Sequence, residues 1–261
     1  MSQRKYHLNQ WEDVSFSSRD PKVLINGWLF DYHKNKPIVI IVHGIFPNGK
    51  CKSESNLIAS LLIKNEINAL SIDLRNYGKS TIISSYENLG ITEYLDVLGA
   101  FDFLQTRNFK KNQIGLLGIS LGASTVIIAS SNEPAIKAIW SESSLAEFNM
   151  VLNDEIRRYG FLNIFGPAVS IGGKLLTGIN PTNLNPVYAL NNHQNYFFTH
   201  GAKDQRMYVS HFNFIKNYST LKNLKAEYWL IPDGGHVDSI FLHPEEYGQK
   251  MKSFFEKHLS N

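Results

Sequence analysis

A five-residue segment of this 261-residue chain, Gly-Ile-Ser-Leu-Gly at 118–122, has the composition and spacing of a turn that presents a nucleophile. It lies between two apolar runs, residues 113–117 and 123–129, so the local pattern is strand, sharp turn, helix. Such a turn pushes the hydroxyl of its central residue, here Ser120, clear of the sheet edge, and only small residues fit where helix and strand nearly touch. The pattern also arises by chance because it fixes only three positions, so its partners decide its meaning.

His236 is the best candidate for the base that a nucleophilic serine needs. An apolar strand over residues 226–231 leads to the glycine-rich loop that ends in Gly235-His236, a setting that suits a mobile catalytic histidine. In the fold that uses the serine turn, the chain order is serine, acid, histidine, which His236 fits. Five other downstream histidines lack this setting and are interpreted as surface or structural residues: His193, His200, His211, His243 and His258.

Asp204 is our candidate for the acid that orients the histidine and stabilises its cation. It lies in the loop 200–204, which follows a predicted buried strand over residues 195–199. Glu142, which follows the apolar run 135–140, is the alternative, because some enzymes of this type place the acid one strand earlier. Two further carboxylates are weaker candidates, since one is expected to bond its own loop and the other to shape the turn: Asp238 and Asp233.

Acyl transfer also needs donors for the negative charge that develops on the carbonyl oxygen, and losing one donor costs about 3 kcal/mol. The amide of Leu121, directly after the serine, is one expected donor. The second is expected from the loop after the apolar strand 38–42, where the amide of Ile45 follows His43 and Gly44. His43 itself is interpreted as structural.

The same loop suggests a rival function. Residues 44–51, Gly-Ile-Phe-Pro-Asn-Gly-Lys-Cys, nearly match a phosphate-binding loop, and residues 70–73 resemble a metal-binding strand end. The hydroxyl that such a loop offers to magnesium is replaced by the thiol of Cys51, and Pro47 removes an amide from the phosphate cradle. Nucleotide binding is therefore the weaker hypothesis. Cys51 is interpreted as an inert residue.

Taken together, the motifs resemble those of α/β-hydrolases of the serine hydrolase type, in the esterase, lysophospholipase-like and prolyl-oligopeptidase-like branch. The resemblance runs from about Val14 to the C-terminus, includes Trp28 in an early strand pair, and rests on five ordered segments: 42–45, 73–80, 118–122, 200–204 and 234–236. It implies Ser120, Asp204 and His236 as a catalytic triad, and the amides of Ile45 and Leu121 as oxyanion donors. Two departures stand out: Asn76 where glycine is frequent, and Arg206-Met207 in place of a small apolar pair.

The coarse pattern alternates apolar strands with amphipathic helices, which predicts a mostly parallel sheet covered on both faces. Strands are predicted at 23–30, 38–42, 69–72, 114–117, 136–140, 196–199 and 226–231, and helices at 54–64, 92–105, 121–130, 208–218 and 244–258. The fold class is therefore α/β, and the resemblance specifies one hydrolase domain over 1–261, with about eight strands and a small helical cap. We expect the cap at about 143–194, where no strand pattern occurs and apolar residues alternate with glycine breaks.

Composition narrows the function classes. With 43% hydrophobic and 19% charged residues the chain is globular, and its net charge of +3 comes from scattered lysines and arginines, which is not a nucleic-acid footprint. One cysteine, no apolar leader at the N-terminus and no apolar run of membrane-spanning length favour a cytoplasmic location. Histidine spacing and the lack of a CxxC motif predict no metal, and we expect no cofactor.

The sequence thus predicts a serine hydrolase that cleaves a carboxylic ester of a small or medium apolar acyl group through an acyl-enzyme. The partner is a small-molecule acyl substrate, whose identity the triad does not specify. Thioester or amide cleavage remains open within the same fold. A hydrolase fold without catalysis that serves as a binding module is the alternative of another class. The oligomeric state is left open.

Overall fold

The computed structural model describes residues 8, 10–45, 49–51, 53–85, 88, 90–160, 166–183 and 185–260, with only the backbone of Cys51. One eight-stranded sheet runs through it, in the spatial order β1-β2-β4-β3-β5-β6-β7-β8. The strands are β1 Glu12–Ser17, β2 Leu24–Phe30, β3 Ile38–Val42, β4 Asn68–Asp73, β5 Ile114–Ile119, β6 Ala138–Glu142, β7 Asn195–Gly201 and β8 Ala226–Ile231. The pairings β1–β2 and β2–β4 are antiparallel, and all others are parallel.

Helices cover both faces of this sheet. In chain order they are α1 Ser53–Lys64, α2 Tyr94–Thr106, α3 Leu121–Asn132, α4 Phe148–Arg158, α5 Gly166–Thr177, α6 Pro186–Ala189, α7 Val209–Leu221, α8 Ser239–Leu242 and α9 Pro244–His258. One core layer lies between the sheet and α2, α3 and α7, and the other between the sheet and α1, α8 and α9. Strands β3 to β6 are buried on both faces, as parallel strands under helices must be, which explains their continuous apolar runs.

The predicted fold class is confirmed. Strand β7 continues through His200 and Gly201, which were predicted as the first residues of the loop 200–204, because both pair with β8. Strands β1 and β6 also differ from the prediction. Strand β1 was not among the predicted segments, because only Val14 and Phe16 of its six residues are apolar and buried, as expected of a half-exposed edge strand. Strand β6 begins two residues later than predicted and ends at Glu142, so that this carboxylate belongs to the strand instead of following it. Glu142 pairs with Thr199 of β7, so the strand continues through a polar residue. An apolar pattern alone does not predict such an extension.

Between β6 and β7 the described residues form helices. Helices α4, α5 and α6 lie in this segment, with a 3₁₀ helix at Pro181–Asn183. Buried side chains of α4 form a small separate apolar cluster with Leu145 and with Met207, which comes from the loop after β7. The segment that the sequence marks as a cap therefore packs against a loop at the carboxyl end of the sheet.

Candidate active site

Ser120 lies in a strained turn between β5 and α3. Its backbone angles are φ 54° and ψ −113°, a conformation that non-glycine residues rarely adopt. Both neighbouring glycines are required by space, since a side chain at Gly118 would collide with the backbone of Gly122, and one at Gly122 with the carbonyl of Val42. The serine amide donates to Glu142 O (2.9 Å). The strand-turn-helix geometry expected from the sequence is therefore present.

Ser120, His236 and Asp204 form one continuous chain of hydrogen bonds. Ser120 Oγ lies 3.1 Å from His236 Nε2, to which it can donate, and His236 Nδ1 donates to Asp204 Oδ2 at 2.8 Å. The three residues are 116 and 32 positions apart in sequence, yet they meet because each follows the carboxyl end of a parallel strand. The imidazole is only 15% exposed. This arrangement can transfer a proton from the serine hydroxyl to the histidine while the aspartate faces the resulting cation.

The loop after β7 holds Asp204 in its charged form. Its Oδ1 accepts from the amides of Arg206 and Met207, both at 2.8 Å. Burial raises the pKa of Asp204, but the hydrogen bond and charge interaction with His236 and these two amides outweigh it, so the pKa lies below its ordinary value. The departure at Arg206-Met207 thus supplies the same backbone donors that any pair could, and Met207 adds an apolar contact to the cap.

The loop that carries His236 is fastened to the acid loop. Lys203 N donates to Gly234 O at 2.8 Å, and a side chain at Gly201 would collide with the carbonyl oxygens of Gly234 and Gly235. Asp238 Oδ1 accepts from Gly235 N (2.7 Å), which is the bond within its own loop that the sequence predicts. The two loops therefore approach closely enough to fix the histidine against Asp204. Asp233 instead pairs with His243 at 2.9 Å.

Glu142 lies close to this chain but does not contact the histidine by a hydrogen bond in the described residues. It is fully buried, and its Oε2 accepts from Tyr247 Oη at 2.7 Å. Burial raises its pKa to about 7, although Tyr247, Ser239 and the charge of His236 act in the opposite direction. Since Asp204, and not Glu142, bonds His236 Nδ1, the geometry favours Asp204 as the acid.

The two amides expected to face an oxyanion belong to Leu121, which directly follows the serine, and to Ile45, on the loop after β3. Leu121 is the first residue of α3, so its N–H has no partner within the helix and lies at the positive end of the helix dipole. Ile45 follows Gly44, where an added Cβ would lie 3.0 Å from Ser120 Cβ. A side chain at position 44 would therefore crowd Ser120, which favours glycine where this loop approaches the serine.

His43 and Lys50, which follow β3, have structural partners at the end of β4. His43 is buried, its Nε2 accepts from Leu74 N (3.2 Å) and its Nδ1 donates to Gly44 O (2.8 Å), in agreement with the structural role predicted for it. Lys50 is buried, and its Nζ donates to Asp73 Oδ2 at 2.6 Å. A lysine paired with Asp73 in this way does not point to the phosphate binding that the rival function would require of it. Residues 46–48, including Pro47, lie outside the described residues, as does the Cys51 side chain.

The backbone at position 76 explains why asparagine can stand where glycine is frequent. Its φ is 67°, the left-handed region where glycine is frequent and asparagine is the best tolerated substitute. Its side-chain oxygen accepts from the amides of Ile83 and Ser84 at 2.8 and 3.0 Å. The asparagine therefore keeps the turn that glycine would allow and adds two bonds to the following loop.

Arg158 and His211 join the segment between β6 and β7 to the site, and these long-range partners were not predicted from the sequence. Arg158 Nη2 donates to Gln205 O and Arg206 O at 2.6 and 3.0 Å, in the loop that holds Asp204. His211 is buried on α7, accepts from Ala146 N (3.0 Å) and donates to Asp154 of α4 at 3.1 Å. Burial lowers its pKa despite the nearby Asp154 carboxylate, which favours the neutral ring these bonds require. Contacts between residues 47 to 65 positions apart leave no local signal.

Two classes of site are not found in the described residues. They contain no group of three or more histidine, cysteine, aspartate or glutamate side chains placed to hold a metal ion. Of the helices described, none combines the length and the apolar character needed to cross a membrane.

Solved structures resemble the whole chain. Pyrococcus furiosus esterase Pf2001 aligns with a TM-score of 0.78 and 20% identity, covering 100% of this chain and 97% of the esterase. The α/β hydrolase GrgF from Penicillium sp. sh18 gives 0.73 and 16%, over 96% of this chain and 99% of that one. Pyrococcus horikoshii acylaminoacyl peptidase gives 0.70 and 20%, over 96% of this chain but 42% of the peptidase. No protein-family model matches the sequence.

At these identities the likeness establishes the architecture. The chain has the α/β-hydrolase fold, with the eight-stranded, mostly parallel sheet and its two helical layers. The part of the peptidase that corresponds to this chain is less than half of that enzyme. What the chain does is a separate question, which its own residues must answer.

Proposed function

We propose that the chain is a serine hydrolase whose catalytic triad is Ser120, His236 and Asp204. The observation that carries this proposal is the continuous hydrogen-bond chain from Ser120 Oγ to Asp204 Oδ2, 3.1 and 2.8 Å in its two links. A serine held at φ 54° is costly to the backbone, and such strain is found mainly where a function requires it. The likeness of the fold to an esterase and a peptidase agrees with this function.

In the proposed mechanism, Ser120 Oγ attacks a carbonyl carbon while His236 Nε2 accepts its proton. Asp204, ionised because its pKa is lowered, stabilises the imidazolium through Nδ1–H. The amides of Leu121 and Ile45 donate to the oxyanion, and collapse of the tetrahedral intermediate releases the leaving group with the proton from His236. Water then attacks the acyl-enzyme by the same steps, which restores the free serine.

A carboxylic ester with a small or medium apolar acyl group is the proposed substrate. The apolar cluster of α4 with Met207 makes the surroundings of the acid loop apolar, and the segment 143–194 would act as a cap over the site. Amide cleavage is the second candidate, because the fold neighbours include an acylaminoacyl peptidase. Both reactions use the same triad, so the acyl-enzyme is common to them.

Covalent labelling tests the nucleophile directly. A fluorophosphonate probe should modify Ser120 in the intact chain, as located by peptide mass spectrometry. Ser120→Ala should abolish labelling and lower turnover of p-nitrophenyl esters by roughly 10⁴ to 10⁶. Ser131→Ala is the matched control, since Ser131 lies on α3, the helix after the serine turn, with its hydroxyl bonded to Ile128 O, and it should react as the parent does. Unchanged activity in Ser120→Ala would contradict the assignment.

A substrate series then separates the reaction classes. Initial rates are compared for p-nitrophenyl esters of increasing acyl length, for one thioester and for one N-acylated peptide. We expect the highest kcat/KM for an ester of short or medium chain. Preference for the peptide or the thioester would move the proposal to that class. No labelling at Ser120, together with no turnover of any member, would instead favour a binding module.

A further inference from the structure

Helix α5 faces the protein with its small and polar residues and solvent with its large apolar ones. Four small or polar residues, Gly166, Ser170, Gly173 and Thr177, follow each other at spacings of four, three and four, which places them on one face of the helix. This face lies against the protein: a Cβ added at Gly166 would contact Leu152 and Ile156 of α4 at 3.7 and 3.9 Å, and one at Gly173 would contact Pro181 at 3.6 Å. Helix α5 packs on α4 and on the short helix at 181–183.

The opposite face and one flank of α5 carry its large apolar side chains and lie in solvent. Val169, Ile171 and Leu175 are 49, 61 and 81% exposed, and Gly166 is the only buried residue among the twelve. Tyr159, just beyond the end of α4, is 74% exposed. A surface helix normally buries its apolar stripe and exposes its polar one, so this helix is the reverse of the usual arrangement. An exposed apolar patch of this kind marks an interaction surface.

The stretch of sequence that contains α5 carries charge of one sign. From residue 156 to residue 203 the sequence contains no aspartate or glutamate, and it contains four basic residues: Arg157, Arg158, Lys174 and Lys203. Lys174 lies on α5 and Arg157 on α4, both exposed. The two acidic residues of α4 already have partners, Asp154 with His211 at 3.1 Å and Glu155 with Arg158 at 2.8 Å.

We propose that the outer face of α5 docks on an anionic lipid surface. Exposed aliphatic side chains flanked by lysine and arginine are the combination by which a helix lies in the plane of a membrane interface. The apolar side chains enter the boundary of the acyl region, while Lys174 and Arg157 face negatively charged headgroups. A protein partner with an apolar patch would not require the absence of carboxylates, which is why the lipid surface is favoured. This inference does not depend on the proposed catalysis, because docking uses no residue of the triad.

Vesicle binding tests the proposal on the full chain. Flotation with liposomes of phosphatidylcholine alone and of phosphatidylcholine with phosphatidylglycerol at 7:3 should show stronger binding to the anionic mixture, weakened by added salt. The double variant Ile171→Asp with Leu175→Asp should lower the partition coefficient at least about 10-fold. Lys174→Gln should lower it a few-fold on anionic vesicles only. Leu221→Asp is the matched control, because Leu221 is 85% exposed on α7, and it should bind as the parent does.

Three outcomes would overturn the proposal. One is equal flotation of the parent and the double variant. A second is equal loss in the Leu221→Asp control, which would attribute binding to general apolar exposure. The third is a concentration-dependent dimer, measured by light scattering without vesicles, that the double variant dissociates; the face would then be an interface between copies. Repeating the flotation with Ser120→Ala separates this inference from the catalytic proposal, since binding should persist there.

Discussion

Helices α3 and α5 are both twelve residues long and both largely apolar, yet the fold treats them in opposite ways. Helix α3, which follows Ser120, has nine buried residues, and α5 has one. A Cβ at Gly122 of α3 would collide with the backbone of β3, whereas one at Gly172 of α5 would meet nothing within 4 Å. The apolar content of a helix therefore does not determine whether its apolar side chains are buried.

The same difference separates the proposed catalytic site from the proposed docking surface. The serine turn is surrounded by packed strands and by α3, so the positions of its reacting groups are fixed before any ligand arrives, which is the condition for electrostatic catalysis. The segment between β6 and β7 is joined to that site through Arg158, Met207 and His211, while its helix α5 exposes large apolar side chains. A rigid site and an accessible cap surface thus occur in one domain.

The largest effect should come from the site. Asp204→Asn removes the charge that faces the imidazolium and favours the wrong histidine tautomer, so kcat/KM for a p-nitrophenyl ester should fall by about 10⁴. Glu142→Gln, measured in parallel, should change it by less than about 10-fold, because Glu142 makes no hydrogen bond to His236 in the described residues. If the Glu142 variant were the damaging one, the acid would be Glu142 and the site less uniquely defined by geometry than we conclude.

The second effect is on stability and concerns the buried carboxyl behind the site. Burial raises the pKa of Glu142 from 4.5 to about 7, so the folded state prefers the protonated acid. The stabilisation this gives is complete below the unfolded pKa of about 4.5 and is lost as pH rises through the folded pKa near 7, a change of about 3 kcal/mol. Glu142→Gln should remove most of this pH dependence.

Thermal unfolding at pH 5 and pH 8 measures it. Between pH 5 and pH 8 the melting temperature of the parent protein should fall by roughly 5–10 °C more than that of Glu142→Gln. Glu245→Gln is the control, since Glu245 is exposed in the first turn of α9, and it should follow the parent. Equal pH dependence in the Glu142 and Glu245 variants would mean that Glu142 is ionised at low pH in the folded state, against its buried surroundings.

Much of the site was predictable because its signals are local. The turn around Ser120 needs Gly118 and Gly122, and His236 follows a glycine pair after a strand, so each residue carries its context within a few positions. The parallel strands of the core also read directly as apolar runs. The carboxyl ends of parallel strands lie at one edge of the sheet, so residues that follow these ends converge although they are far apart in sequence.

The missed features depend on long-range packing. The sequence predicts a helical cap here but not which side of α5 faces the protein, and the glycines of its inner face, Gly166 and Gly173, were interpreted as breaks. The last residue of β6, Glu142, is polar because its partner is Tyr247, 105 positions away. Strand β1 contributes only Val14 and Phe16 to the core, too few for a sequence pattern.

The third effect tests the link between the two regions. Arg158→Ala removes the donors to Gln205 O and Arg206 O, so the amides that hold Asp204 lose their support. We expect kcat to fall about 10-fold with little change in KM, because a positioning residue affects the transition state more than ground-state binding. Arg157→Ala, on the adjacent exposed position, should leave both constants unchanged, and Arg158→Lys should restore part of kcat. A rise in KM alone would make Arg158 a substrate contact.

The smallest effect lies on α5 and sharpens the comparison with α3. Gly172→Ala places a methyl group where nothing lies within 4 Å, in a helix interior where alanine is favoured over glycine, so it should stabilise the cap by about 0.5–1 kcal/mol. At Gly122 of α3 the same substitution must displace the backbone of β3 and should destabilise. Urea unfolding followed by circular dichroism and by the tryptophan signal measures both variants. Destabilisation by Gly172→Ala would mean that the outer face of α5 is covered by protein, which would place the two helices in the same kind of environment and remove the lipid-facing surface.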